Sequence, residues 1–126
     1  MKQPSAQRGW RAKFGDAFRG CKWGFRSQSS FAVHLFAAVL AVLAGAALRI
    51  SLIEWALIAL SIAGVLSAEM LNTSIEHLAR AISRQQDPNI ARALDVAAAG
   101  VLMASLGATA VGLIVFGRLL WQALLP

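Results

Sequence analysis

Glu69, Asn72, Thr73 and Glu76 close a long apolar run with two carboxylates, an amide and a hydroxyl. On a helix they stand at i, i+3, i+4 and i+7, so all four project from one face. A carboxylate this close to hydrocarbon is costly, and such residues usually serve ion, proton or substrate chemistry. Glu69 lies deepest in the apolar run and is the candidate base. Glu76, two turns on, reaches water and can hold a divalent cation through oxygen. Asn72 and Thr73 can orient the hydroxyl or phosphate of a substrate, or simply hydrogen-bond between helices. Asp95 can face Glu76 across the next loop; equally, it can be a helix-start acid favoured by the macrodipole.

Positioning that face requires a helix that runs to a membrane boundary. The chain has 126 residues, 58% of them hydrophobic, too apolar for an ordinary soluble domain. Three stretches, residues 31–48, 50–72 and 96–122, are each about long enough to cross a ~30 Å hydrocarbon core as a helix. A soluble bundle of the same helices would lack the polar surface to cover them. Ahead of them, residues 10–27 carry Trp10, Phe14, Phe18 and Phe25 at helical spacing among Arg11, Lys13, Arg19, Lys22 and Arg26. That pattern is an amphipathic helix lying in the membrane interface. The expected fold is therefore all-α: a single membrane domain with a disordered tail (1–9), a surface helix and three transmembrane helices. Arg49–Ser51 makes the first two spans an antiparallel hairpin. The second span continues past the bilayer to about Ser83, and a loop around Asp87-Pro88 precedes a helix restarting at Asn89.

Charge sets the orientation. Seven of the twelve basic residues precede the first span, and Arg80, Arg84 and Arg92 lie between the second and third. The positive-inside rule puts the N-terminus and the 76–95 region in the cytoplasm. The net charge of +6 suits anionic lipid beside the spans rather than nucleic acid. The single Cys21 excludes an intrachain disulfide and a thiolate metal cluster. His34, one turn into the first span, reads as a satisfied interface or core histidine. His77 points about 100° away from Glu76 around the helix and does not pair with it. No P-loop and no serine-nucleophile motif is present. Small residues at 97–100, Gly107, Gly112 and Gly117 suit close helix packing or self-association along the third span.

The stretch Ala68-Glu-Met-Leu-Asn-Thr-Ser-Ile-Glu76, followed nineteen residues later by Asp95-Val-Ala-Ala-Ala-Gly-Val101, resembles the prokaryotic diacylglycerol kinase and undecaprenol kinase family. Phe18-Arg-Gly20, Val33-His34-Leu35 and Ile53-Glu-Trp55 add to the resemblance, which covers about residues 10–120. It implies a homotrimer in the bacterial inner membrane that uses ATP and Mg2+ to phosphorylate a lipid alcohol, diacylglycerol or undecaprenol, at the cytoplasmic face. It further implies Glu69 as general base, Glu76 as metal ligand and Asn72 as support for the site. Asp95 would help bind nucleotide, with Gln85, Gln86 and Asp87 in the loop that contacts ATP.

The chain departs from that pattern at several positions. Gln28 stands where relatives carry a metal-binding glutamate; its amide oxygen can still coordinate magnesium, without the charge. Leu94 replaces a phosphate-binding lysine, Arg80 an aspartate and Asp87 a histidine. Arg80, Arg84 or Arg92 can supply the missing cation. The alternative is a catalytically degenerate relative acting as a membrane lipid-binding or interaction protein; Glu69, Asn72, Glu76 and Asp95, all intact, favour the enzyme.

Overall fold

The computed structural model describes residues 9–27, 29–82 and 87–125. They form four helices, α1 (Trp10–Ser27), α2 (Ser29–Leu48), α3 (Leu52–Ile82) and α4 (Pro88–Leu124), and no strand among the described residues. The last three are long and apolar enough to cross a membrane. Their lengths decide where the polar face sits. At 1.5 Å per residue α2 spans ~30 Å, α3 ~46 Å and α4 ~55 Å, so the last two overshoot a ~30 Å hydrocarbon core. Counted from Leu52, Glu69 lies ~26 Å along α3 and Glu76 ~36 Å, and the inner boundary falls between them.

The outer hairpin is closed by packing as well as by chain length. Arg49 adopts the left-handed conformation (φ 50°). Its N–H donates to Ala46 (3.4 Å) and that of Ile50 to Gly45 (3.2 Å), the double bond that terminates a helix when the following residue turns left-handed. Ile50 is thus a turn residue and not the first residue of the second span, as the 50–72 boundary had it. It folds back to join Ile58 and Val115 in the buried core, against Trp55, Val111 and Phe116. A Cβ at Gly45 would lie 3.0 Å from both Ile50 Cδ1 and Trp55 Cη2, so glycine lets these two side chains pack closely against α2. Ser51 then caps α3: its N–H donates to Glu54 Oε2 (2.8 Å) and the Glu54 N–H to Ser51 Oγ (3.3 Å), a reciprocal capping box.

The inner hairpin, α3 to α4, forms the most extensive helix pair. Asp87 caps α4, accepting from the Asn89 N–H at 2.7 Å, with Pro88 in the first helical position, where its missing N–H costs nothing. The helix therefore begins one residue before Asn89. Asp95 lies two turns inside it, too far along to be a first-turn acid.

The surface helix α1 docks on the inner end of α3. Gly24 is buried beneath Met70, and Trp23 meets His77 edge-on at 4.7 Å. Phe25 packs on Phe31 of α2 at 4.5 Å. Trp10 and Phe18 stay about three-quarters exposed (75% and 76%), as residues entering an interfacial layer do. Phe36, Leu60, Met103 and Ile114 also face outward, an apolar surface suited to hydrocarbon or another protein chain.

Candidate active site

Four residues of α3 separate into three settings over about 100° of arc, the spread that i, i+3, i+4 and i+7 cover at 3.6 residues per turn. Glu69 occupies the middle and is buried, 3% exposed. On one edge, Asn72 and Glu76 open into a cleft between α3 and α4. On the other, Thr73 (5% exposed) and His77 line a groove against α1. The expected single face is real, but its edges serve different clefts.

Glu69 meets α2. Its Oε1 lies 3.0 Å from His34 Nε2, and its Oε2 accepts from Ser30 Oγ at 3.5 Å. Ser30 and His34 stand one turn apart on α2, so a single helix face supplies both contacts. His34, expected as a satisfied interface or core histidine, is satisfied by Glu69 itself, a partner the sequence reading did not name. Helix register carried the signal: through the turn centred on Ile50, His34 and Glu69 lie at nearly matching depth.

The α3–α4 cleft encloses about 820 Å3 and is lined by Asn72, Glu76, Arg80, Asp87, Leu94 and Asp95, among others. That volume is within the range of small-molecule sites. Asn72 Nδ2 donates to Glu76 Oε1 at 2.9 Å, and Arg80 donates to Glu76 Oε2 at 3.3 Å. Asn72 therefore props Glu76 rather than standing apart from it. Asp95, on α4, shares the cleft with Glu76, as the spacing across the loop anticipated. Asp87 lines it too while capping α4. Arg92 is exposed and does not line this cleft. Gln28, Arg84, Gln85 and Gln86 lie outside the described residues.

Three carboxylates on one cleft form a hard oxygen donor set. Among the described residues no three His, Cys, Asp or Glu side chains converge as a metal cage. Magnesium does not need one: it keeps several waters and binds through one or two carboxylates together with substrate phosphates. The donor set fits a cation that arrives on a nucleotide.

Among the described residues Thr73 Oγ1 and His77 Nε2 are buried with no hydrogen-bond partner. Both sit on the groove of about 830 Å3 between α1 and α3, with Asp16, Arg19 and Trp23 among its other walls. His77 thus turns away from Glu76, consistent with its angular offset. Higher in the membrane, a cavity of about 270 Å3 between α2, α3 and α4 runs from His34 to Phe116.

The sequence has relatives of known class. Residues 15–116 match the model of the family described as prokaryotic diacylglycerol kinase. The chain is 35% identical over 103 residues to the undecaprenol kinase of Bacillus subtilis (strain 168), covering 82% of this chain and 84% of that one. It is 30% identical over 118 residues to the diacylglycerol kinase of Synechocystis sp. (strain ATCC 27184 / PCC 6803 / Kazusa), covering 88% of this chain and 67% of that one. The family match over most of the chain and the two relatives agree with three membrane-length helices, and the chain belongs to the prokaryotic diacylglycerol kinase family, as a lipid kinase of the membrane.

Proposed function

We propose that this protein transfers the γ-phosphoryl group of ATP to the hydroxyl of a membrane lipid alcohol at the cytoplasmic face of the bacterial inner membrane, with Glu69 as general base. The observation that carries the reading is the pairing of depths on α3. A buried carboxylate lies just inside the boundary, and a carboxylate opening to an aqueous cleft lies two turns beyond it. A lipid hydroxyl reaches the first from the bilayer, and a nucleotide reaches the second from the cytoplasm.

In the step, the alcohol oxygen bonds to the γ-phosphorus as Glu69 takes the hydroxyl proton. The bond from that phosphorus to the β–γ bridging oxygen breaks, and ADP leaves. Positioning and electrostatics supply most of the rate in such transfers. Glu76, braced by Asn72, is the metal ligand, with Gln28 contributing an amide oxygen. Magnesium, when bound, neutralises phosphate charge. Asp95 and Asp87 hold the nucleotide side of the cleft, with Gln85 and Gln86 in the adjoining loop. Thr73 serves the lipid side. Arg80 lines the cleft beside Leu94, which supports it as the phosphate cation in place of the family's lysine.

Undecaprenol is the leading substrate, on the similarity to an undecaprenol kinase over most of both chains; diacylglycerol is the competitor that the second relative brings. The assembly proposed is a homotrimer. Gly100, Gly107 and Gly117 have open space where a side chain would stand, which supports close approach of another helix.

The test uses purified protein in mixed micelles, ATP labelled at the γ-phosphate, magnesium, and either undecaprenol or diacylglycerol. Label entering one lipid and lost with Glu69→Gln supports the reading and names the substrate. A folded oligomer that labels neither overturns it in favour of a lipid-binding relative.

A further inference from the structure

The two oxygens of Glu69 are held unequally. Oε1 lies 3.0 Å from the His34 ring nitrogen Nε2, a normal length for a charge-assisted bond. Among the described residues Oε2 has only Ser30 Oγ at 3.5 Å, at the weak limit of hydrogen bonding. An ionised carboxylate only accepts, so the nitrogen facing it carries the proton, and the contact selects the Nε2–H form of His34. We propose that His34 is a positioning residue for phosphoryl transfer: its Nε2–H holds Glu69 Oε1 so that Oε2 is the oxygen that takes the lipid proton.

Two features separate this role from mere satisfaction of a core histidine. The carboxylate is 3% exposed, and without the imidazole Glu69 keeps, among the described residues, the long Ser30 contact alone. His34 also forms one end of the cavity of about 270 Å3 whose walls include Ala37, Ala38, Ile62 and Val65. The pair thus stands where apolar space inside the bilayer meets the polar face of α3. A lipid hydroxyl that reaches the inner end of α3 from the bilayer meets the oxygen that His34 leaves open.

The inference rests on the reading of Glu69 as base, and the test keeps the two apart. The full chain, in mixed micelles with undecaprenol and magnesium ATP, is compared with His34→Leu, His34→Gln, Glu69→Gln and the double variant His34→Leu/Glu69→Gln. Displacing a reacting group by about 1 Å costs on the order of 100-fold, so His34→Leu should lower kcat roughly 10- to 100-fold and leave the KM for ATP unchanged. The amide N–H of His34→Gln restores a donor at similar reach and should recover most of kcat. On the Glu69→Gln background His34→Leu should cost nothing more. Wild-type kcat in His34→Leu, or a loss confined to the KM for ATP, overturns the role of His34 and leaves Glu69 as base. Transfer persisting in Glu69→Gln overturns the base itself, and the role of His34 with it. Should His34→Leu fail to fold, the 15N signal of the His34 ring decides. It should move between wild type and Glu69→Gln, and an unmoved signal overturns the contact.

Discussion

The α3–α4 pair is built in opposite ways at its two ends. At the outer end Glu54 receives the Ser51 N–H through Oε2 and Arg118 through Oε1 at 2.6 Å, and the Ser51 hydroxyl completes the cap. Both oxygens are committed, the opposite charges are matched, and Ile50, Trp55 and Leu119 pack nearby. At the inner end Glu69 leaves one oxygen loosely held, Thr73 and His77 bury polar atoms without partners among the described residues, and open clefts flank the helix. The same two helices bind their outer acid fast and leave their inner one loosely held. Unsatisfied polar groups are expensive in a protein interior, and in the proposed reading substrate completes the bonding at this end.

Substitutions can break that contrast in either direction. The largest effect is expected at the inner end, from Glu69→Gln. Losing a general base costs on the order of 100- to 10,000-fold in rate, and thermal unfolding in micelles should hardly change. Glu76→Gln comes next, with a loss of roughly 100-fold and a raised magnesium requirement, because an amide oxygen ligates without neutralising charge. Arg80→Ala should raise the KM for ATP and lower kcat by about tenfold if it is the phosphate cation; unchanged kinetics would remove it from the site. At the outer end the expectation reverses: Arg118→Leu should lower the unfolding temperature and spare kcat/KM, since Glu54 then keeps only its cap. The smallest effect sharpens the contrast. Arg49→Gly relieves a left-handed residue worth about 1 kcal/mol and should raise stability without touching transfer.

Much of this contrast was legible before the coordinates. The aromatic spacing marked α1 from Trp10 to Ser27, and the polar face carried α3 beyond the bilayer to within a residue of Ile82. Asp95 opposite Glu76 was one of two open readings, and the structure places both acids on one cleft; the same register brings Arg118 to Glu54, a pair left unread. What stayed hidden depended on neighbours rather than on pattern. Periodicity put Glu69, Asn72, Thr73 and Glu76 on one side, but only the placement of α1, α2 and α4 splits that side among three environments. His34 looked ordinary because its partner lies on another helix. Ile50 looked like the start of a span because its hydrophobicity is the same whether it extends the helix or folds under a turn.

The overshoot of α3 has a consequence for the bilayer itself. Glu69 and Glu76 are ~10 Å apart along one rigid helix, and the transfer proposed above needs the first in hydrocarbon and the second in water. A leaflet surface must therefore cross the protein within that interval. Lipids with acyl chains long enough to thicken the core by several ångströms would submerge Glu76, and short chains would hydrate Glu69, unless the helix tilts or the bilayer deforms around it. Turnover should then peak at an intermediate chain length of the surrounding lipid, even where that lipid is no substrate.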